Sequence, residues 1–242
     1  IYSGDPVLSL AITAVAGFGL MEFYAMFWPD KEKLLWKTGA ALLALGMVWA
    51  PLSWSGTALV CLALLSVATG FLVTHDRDKY PDAFLDSQIL LFGLLYLPFI
   101  LRLFRTISAS EIALVLLTTF AADTGAYYTG SLLGGPKIWP SVSPKKTWAG
   151  SLGGLGASVL VCSAVGLALG TASWTGFAML GAGLNIVAQL GDFFESALKR
   201  WRGIKASGRI LPGHGGILDR IDSLLFTLPC YCGLAALFPV FA

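Results

Sequence analysis

Apolar residues run along this chain in long blocks, each broken by a short polar or Gly-Pro-rich stretch. A bilayer core about 30 Å thick takes roughly 20 apolar residues of helix. Eight blocks meet or approach that length, at 6–28, 37–52, 55–74, 87–106, 111–133, 147–170, 174–200 and 217–241. The second is short, and the fifth and seventh carry acids in their C-terminal halves. Period-two alternation with polar lumen positions, the mark of a membrane barrel, is absent throughout. The pattern predicts an all-α, polytopic integral membrane protein with about eight transmembrane helices.

Composition strengthens that reading. Only 12% of the 242 residues are charged and 56% are hydrophobic, against about 25% charged in an average soluble domain. A net charge of +2 over this length gives no reason to propose a nucleic-acid partner. The four cysteines, at 61, 162, 230 and 232, lie in apolar runs without zinc-ligand spacing and read as packing residues. One membrane domain spanning 1–242 is the simplest count. Because the chain begins at Ile1, an additional N-terminal segment is expected ahead of it, and no cleavable signal can be assigned.

Charge then orients the helices. With eight spans, fourteen of the sixteen Lys and Arg residues fall on one face and only Arg102 and Arg105 on the other. Cytosolic loops are the basic ones, so the basic loops are expected in the cytosol and both chain ends away from it.

Polar residues collect in the second half. Before residue 110, Glu22 inside the first span reads as an interfacial or partner-bonded carboxylate, and the mixed-sign loop 74–87 as a solvated turn. In the fifth span Asp123 shares a face with Tyr127 and Ser131, at i+4 and i+8. SPKKTW, 143–148, resembles a helix start, with Pro144 and Lys145 breaking the loop and Thr147 able to cap. An anion there would meet Lys145, Lys146 and unpaired backbone N–H groups together. In the seventh span Asn185, Gln189, Asp192, Ser196 and Lys199 are spaced 4, 3, 4, 3 and form one polar stripe, with Glu195 beside it. Asn185 and Gln189 suit helix-to-helix bonding, whereas an intramembrane acid such as Asp192 reads as functional.

The stretch 196–222, SALKRWRGIKASGRILPGHGGILDRID, concentrates the rest. It holds Lys199, Arg200, Arg202, Lys205 and Arg209, then a turn around His214, Gly215 and Gly216, then Asp219, Arg220 and Asp222. Cations beside a Gly-rich turn suit a polyphosphate. Carboxylates among them call for a bridging cation, and Mg²⁺ takes one or two carboxylates plus substrate phosphates. A helix starting at that turn would set Asp219 and Asp222 at i and i+3, facing one point. His214 reads either as a base or phosphate donor or as a shaper of the turn.

Written S-x-L-K-R-x4-K-x-x-G-x2-L-P-x-H-G-G-I-x-D-R-I-D, the segment resembles the signature of the phosphatidate cytidylyltransferase family. A D-x-x-A-Y-x-x-G helix followed by S-P-K-K-T-W-x-G, here from Asp123 to Gly150, is similar to a second block of that family. Two positions depart. Ala206 stands where the family usually has Asp, and Ala149 where many members have Glu.

The resemblance implies transfer of a cytidylyl group from CTP to phosphatidate, with pyrophosphate released, during phospholipid biosynthesis. It implies an active site at the cytosolic face of a bacterial inner membrane, with membrane lipids around it. Asp192, Asp219, Lys199 and Arg220 are the expected catalytic residues. Metal ligation is expected from Asp192 and Asp219 first, then Asp222 and Asp123, for Mg²⁺ with allowance for a second cation. Phosphate binding is expected from Lys145, Lys146, Lys199, Arg200, Lys205, His214, Gly215, Gly216, Arg220 and Ser196. Residues 1–110 are expected to serve as scaffold or oligomer contacts of a homodimer, and 111–242 to carry the catalytic helices and loops.

Three other readings stay open on the residues. An ion-coupled transporter would explain the intramembrane acids, but not a one-sided cation cluster beside a Gly-rich turn, and no inverted repeat is visible. The D-G-x2-A-R-x8-G-x3-D-x3-D motif of CDP-alcohol phosphotransferases is absent. A weakly active family relative is kept open by Ala206 and Ala149.

Overall fold

The structure is a computed structural model that describes residues 6–28, 33–73, 82–208, 215–238 and 240–241. Among these, seven helical stretches are long and apolar enough to cross a membrane, and an eighth is shorter. The protein is an all-α polytopic membrane protein, as its hydropathy pattern predicts. Large apolar side chains such as Leu35, Leu132 and Met179 are exposed, as expected of helices whose outer surface meets lipid rather than water.

The chain divides into two compact units, residues 1–106 with 206–219, and residues 107–205 with 220–242. In the first unit, α1 (Pro6–Phe27), α2 (Leu34–Trp49), α3 (Gly56–Val73) and α4 (Ala83–Leu94) pack together, and Phe23 and Tyr24 of α1 form an aromatic cluster with Phe92 of α4 and Tyr96 just beyond it. Gly93 leaves the space that the Tyr24 ring fills, and the Tyr24 hydroxyl donates to the Leu90 carbonyl at 2.9 Å. Asp86 is buried, pairs with Lys33 and accepts from Trp28 Nε1 at 2.9 Å. This corrects the expectation of a solvated turn over 74–87. α4 already includes Asp86 and Ser87, while 74–81 lie outside the described residues.

Beyond Leu94 the helix widens into a π-turn at Leu95–Phe99 around Pro98, which has no N–H to donate, and tightens to a 3₁₀ turn at Arg102–Arg105. Arg102 and Arg105 are both buried. Arg102 donates to the Pro51 carbonyl at 2.9 Å, and Arg105 to the carbonyls of Val48 and Ala50. The two cations that stood apart in the charge count therefore satisfy the C-terminal end of α2.

The second unit holds α5 (Ala109–Leu133), an antiparallel hairpin of β1 (Lys137–Trp139) and β2 (Ser143–Thr147), then α6 (Trp148–Leu169) and α7 (Trp174–Trp201). The short α8 (Leu218–Ile221) and then α9 (Leu224–Leu237) follow. α5 opens on a capping box between Ser108 and Glu111. Gly150 and Gly154 on α6 lie so close to α5 that a Cβ on either would stand 2.8 Å from an α5 carbonyl. Such small-residue contact, rather than a hydrophobic driving force, is how helices associate in lipid. Polar pairs tie further helices together. Ser158 donates to the Gly181 carbonyl at 2.7 Å, Ser151 to Gln189 at 2.6 Å and Tyr231 to Glu111 at 2.8 Å, and the Thr119 and Thr227 hydroxyls lie 3.1 Å apart.

Candidate active site

Three acids of the second unit come from three elements. Asp123 lies on α5, Asp192 on α7, and Asp222 in the turn that separates α8 from α9. The charge of Asp192 acts on both of the other carboxylates. Ser223 joins two of them, its backbone N–H donating to Asp222 at 2.7 Å and its hydroxyl to Asp123 at 3.5 Å. Close approach of α7 to the turn depends on Gly191, because a Cβ there would stand 2.6 Å from the Asp222 carbonyl oxygen.

Cations reach this group from two directions. Lys146, near the end of β2, pairs with Asp192 at 2.6 Å and lies 4.4 Å from the centre of the Phe193 ring. Ser196, one turn along α7, donates to Asp192 at 3.2 Å. Lys199 is buried and pairs with Glu195, which is fully buried one turn earlier. The polar stripe is therefore real: Asn185 is buried, and the half-buried Gln189 accepts from Ser151 on α6. Glu195 is the functional-looking acid that the stripe does not name. The signal was present as a Glu–Lys pair at i and i+4, a spacing that juxtaposes side chains on a helix.

The SPKKT stretch departs from expectation in part. The helix does start at the end of this stretch, at Trp148, but Ser143–Thr147 ahead of it is a strand paired with Lys137–Trp139 and not a loop. Thr147 still caps α6, accepting from the Gly150 N–H at 3.1 Å. Lys145 is exposed beside that cap and its carbonyl accepts from Lys137 at 3.4 Å. On α5, Tyr127 and Ser131 are exposed.

Asp219 belongs to the first unit, with segment 206–219. Its carboxylate accepts from the backbone N–H of Gly216 at 2.8 Å and of Ser207 at 3.1 Å, folding the segment back on itself. Gly215 adopts φ +83°, and a side chain there would also press on Asp219. One helix carrying both Asp219 and Asp222 does not form. α8 ends at Ile221 and Asp222 sits in a turn, so the i, i+3 argument for a shared face does not hold. Arg200, Lys205 and Arg220 are exposed, with Arg200 donating to the Ile204 carbonyl at 2.9 Å at the end of α7. His214 and Arg209 lie outside the described residues.

Among the described residues no three acidic, His or Cys side chains converge tightly enough to hold a metal unaided. The donor set nonetheless fits Mg²⁺, which takes one or two carboxylates and completes its shell with phosphate oxygens and water. In this group four acids, Asp123, Asp192, Asp222 and Glu195, stand against Lys146 and Lys199. An added cation would offset that excess of negative charge.

The model of the cytidylyltransferase family matches residues 1–238 of this chain. The chain is similar to a phosphatidate cytidylyltransferase of Staphylococcus aureus (strain COL), 41% identical over 157 residues that make up 63% of this chain and 60% of that protein. It is also similar to a phosphatidate cytidylyltransferase of Brucella suis, 43% identical over 116 residues, 48% of this chain and 43% of that protein. The aligned stretches thus span less than two thirds of those relatives' lengths.

Proposed function

The chain belongs to the cytidylyltransferase family, and on that premise we propose that it transfers the cytidylyl group of CTP to phosphatidate, giving CDP-diacylglycerol and pyrophosphate. The observation that carries the reading is the meeting of Asp123, Asp192 and Asp222 with Lys146, beside the capped N-terminus of α6. A phosphate oxygen of the lipid attacks the α-phosphorus of CTP, the bond to the β-phosphate oxygen breaks, and pyrophosphate leaves. The attacking group is already an anion, so the protein needs no nucleophile of its own. Its work is positioning and charge neutralisation.

Each group has a task in that scheme. Lys146 exchanges Asp192 for a phosphate oxygen when the nucleotide enters, and Lys145 and the α6 N-terminus meet neighbouring oxygens. Lys199, held by Glu195, keeps a fixed positive charge near Asp222. Asp192 and Asp222, with Asp123 beside them, would hold Mg²⁺. Bound there, the metal neutralises charge on the phosphates. Arg200, Lys205 and Arg220 are exposed and serve the phosphates of nucleotide or lipid headgroup. Orientation follows the charge count, with the basic loops in the cytosol of a bacterial cell, where CTP is found, and the acyl chains of the second substrate remaining in lipid. Assembly as a homodimer completes the reading.

The test is incubation of the detergent-purified protein with labelled CTP and phosphatidate. Labelled lipid and pyrophosphate should appear only with both substrates and Mg²⁺, should vanish with EDTA, and should return when Mg²⁺ is restored. Product that forms equally well in EDTA would remove the metal from the scheme. No product under any condition would remove the activity.

A further inference from the structure

The first helix carries a buried acid that the scheme above does not use. Glu22 is 4% exposed, near the C-terminal end of α1. Its Oε2 accepts from the Leu218 backbone N–H at 2.8 Å and from the Ser207 hydroxyl at 3.4 Å, partners 196 and 185 residues away in the chain. Burying a carboxylate is costly unless it is hydrogen-bonded. Here its two partners flank residues 209–214, one on each side.

Glycine makes that grip possible. A Cβ on Gly208 or on Gly216 would overlap the Glu22 carboxylate, and one on Gly216 would also overlap the Ser207 hydroxyl. The grip continues to a candidate site residue, since Ser207 and Gly216 both donate backbone N–H groups to Asp219. Glu22, Ser207, Gly216 and Asp219 therefore form one connected polar group within a single compact unit.

We propose that Glu22 is a positioning residue for Ser207 and Leu218: an acceptor on the first helix that holds the two together and thereby sets Asp219. The catalytic meaning of this rests on the cytidylyltransferase reading. The positioning itself does not, and the two are separable by experiment. Glu22 touches no reacting atom in the scheme. What it supplies is an oxygen that accepts two hydrogen bonds, and an amide oxygen could accept the same two.

That distinction sets the variants. Hydrogen exchange of the backbone amides of residues 215–219, followed by mass spectrometry on the full-length protein in detergent, reads the segment directly. Glu22→Ala should raise exchange there at least tenfold and lower kcat/KM for CTP at least tenfold. Glu22→Gln should leave both within about threefold of wild type. Gly208→Ala, which keeps the carboxylate but takes its space, should reproduce Glu22→Ala. Should Glu22→Ala fail to fold, Gly208→Ala and Glu22→Gln decide the matter. Unchanged exchange in Glu22→Ala or Gly208→Ala overturns the proposal. So does Glu22→Gln behaving like Glu22→Ala, since that would mean the charge matters and not the acceptor. If the wild-type protein turns over no CTP, the activity reading fails alone, and the exchange rates still decide whether Glu22 holds the segment.

Discussion

Lys146 touches two partners at once, the Asp192 carboxylate and the face of Phe193. Both contacts hold the ammonium group where an arriving phosphate would compete for it. On the proposed scheme Asp192 would exchange its lysine for Mg²⁺, so its charge would be needed before and after substrate binds. Asp192→Asn should lower kcat at least 100-fold, about 2.7 kcal/mol of transition-state stabilisation, with the protein still extractable and monodisperse. Ser196→Ala, which removes only a 3.2 Å bond to the same carboxylate, should stay within about threefold. A spectrophotometric pyrophosphate assay separates them, and equal losses would mean that Asp192 acts through packing. Asp192, Ser196 and Lys199 were legible because a helix turns their spacing into a stripe. The pairing of Lys199 with Glu195 was less so, because burial decides which neighbour a long side chain takes. Glu22 was legible only as a carboxylate with some partner, since nothing in the sequence joins it to a loop 185 residues away.

Among the elements, α7 carries Asp192, Glu195, Ser196 and Lys199 of the candidate site and meets the turn before α9 through Gly191. Gly183, on the same helix, has nothing within 4 Å of the place a Cβ would occupy. The two glycines make a matched pair. Gly191→Ala forces α7 away from the Asp222 carbonyl and should cost about 1–3 kcal/mol, as overpacked cores do, with a lowered Tm and a larger loss of activity than of stability. Gly183→Ala should be neutral or slightly stabilising, since alanine suits a helix better than glycine. Thermal unfolding of the two in the same detergent checks this, and equal Tm values would mean that α7 has room to move. The spans themselves followed from hydropathy, since length and apolarity suffice to define a membrane helix. The hairpin did not. Its strands are three and five residues long, and Ser-Pro-Lys-Lys-Thr has little of the β-branched or aromatic alternation that marks a strand. The break at Asp222 was hidden too, because an apolar run looks the same whether the helix within it is whole or interrupted.

For the molecule as a whole, the consequential question is which side each loop faces. α6 has 22 residues, about 33 Å of helix at 1.5 Å per residue, enough to cross the bilayer core. Ser141, in the hairpin before it, and Ser173, the N-cap of α7 after it, are both exposed. In a background without the four native cysteines, Ser141→Cys should resist an impermeant thiol reagent outside intact cells and react once the membrane is opened. Ser173→Cys should label from outside. The reverse pattern would invert the orientation and put the candidate site out of reach of cytosolic CTP. Ser207, which the sequence alone would offer as a second cytosolic probe, is buried beside Glu22 and unsuited to the purpose. The charge count gives an expected orientation without any structure. The grouping of 206–219 with the N-terminal helices was invisible to it, because it depends on contacts and not on hydropathy.

The two arginines at the end of α4 bear on how the chain is made. α2 has 16 residues, about 24 Å of helix, short of a 30 Å hydrocarbon layer. Its last carbonyls are met by guanidinium groups 51–57 residues downstream. At ribosomal speeds of about 5–20 residues per second, Arg105 emerges roughly 3–11 s after Val48. During that interval the end of α2 depends on water or headgroups for its hydrogen bonds. The native hydrogen bonding at the end of α2 can therefore be completed only after the fourth span has been made, so the order of synthesis is part of how the first unit assembles.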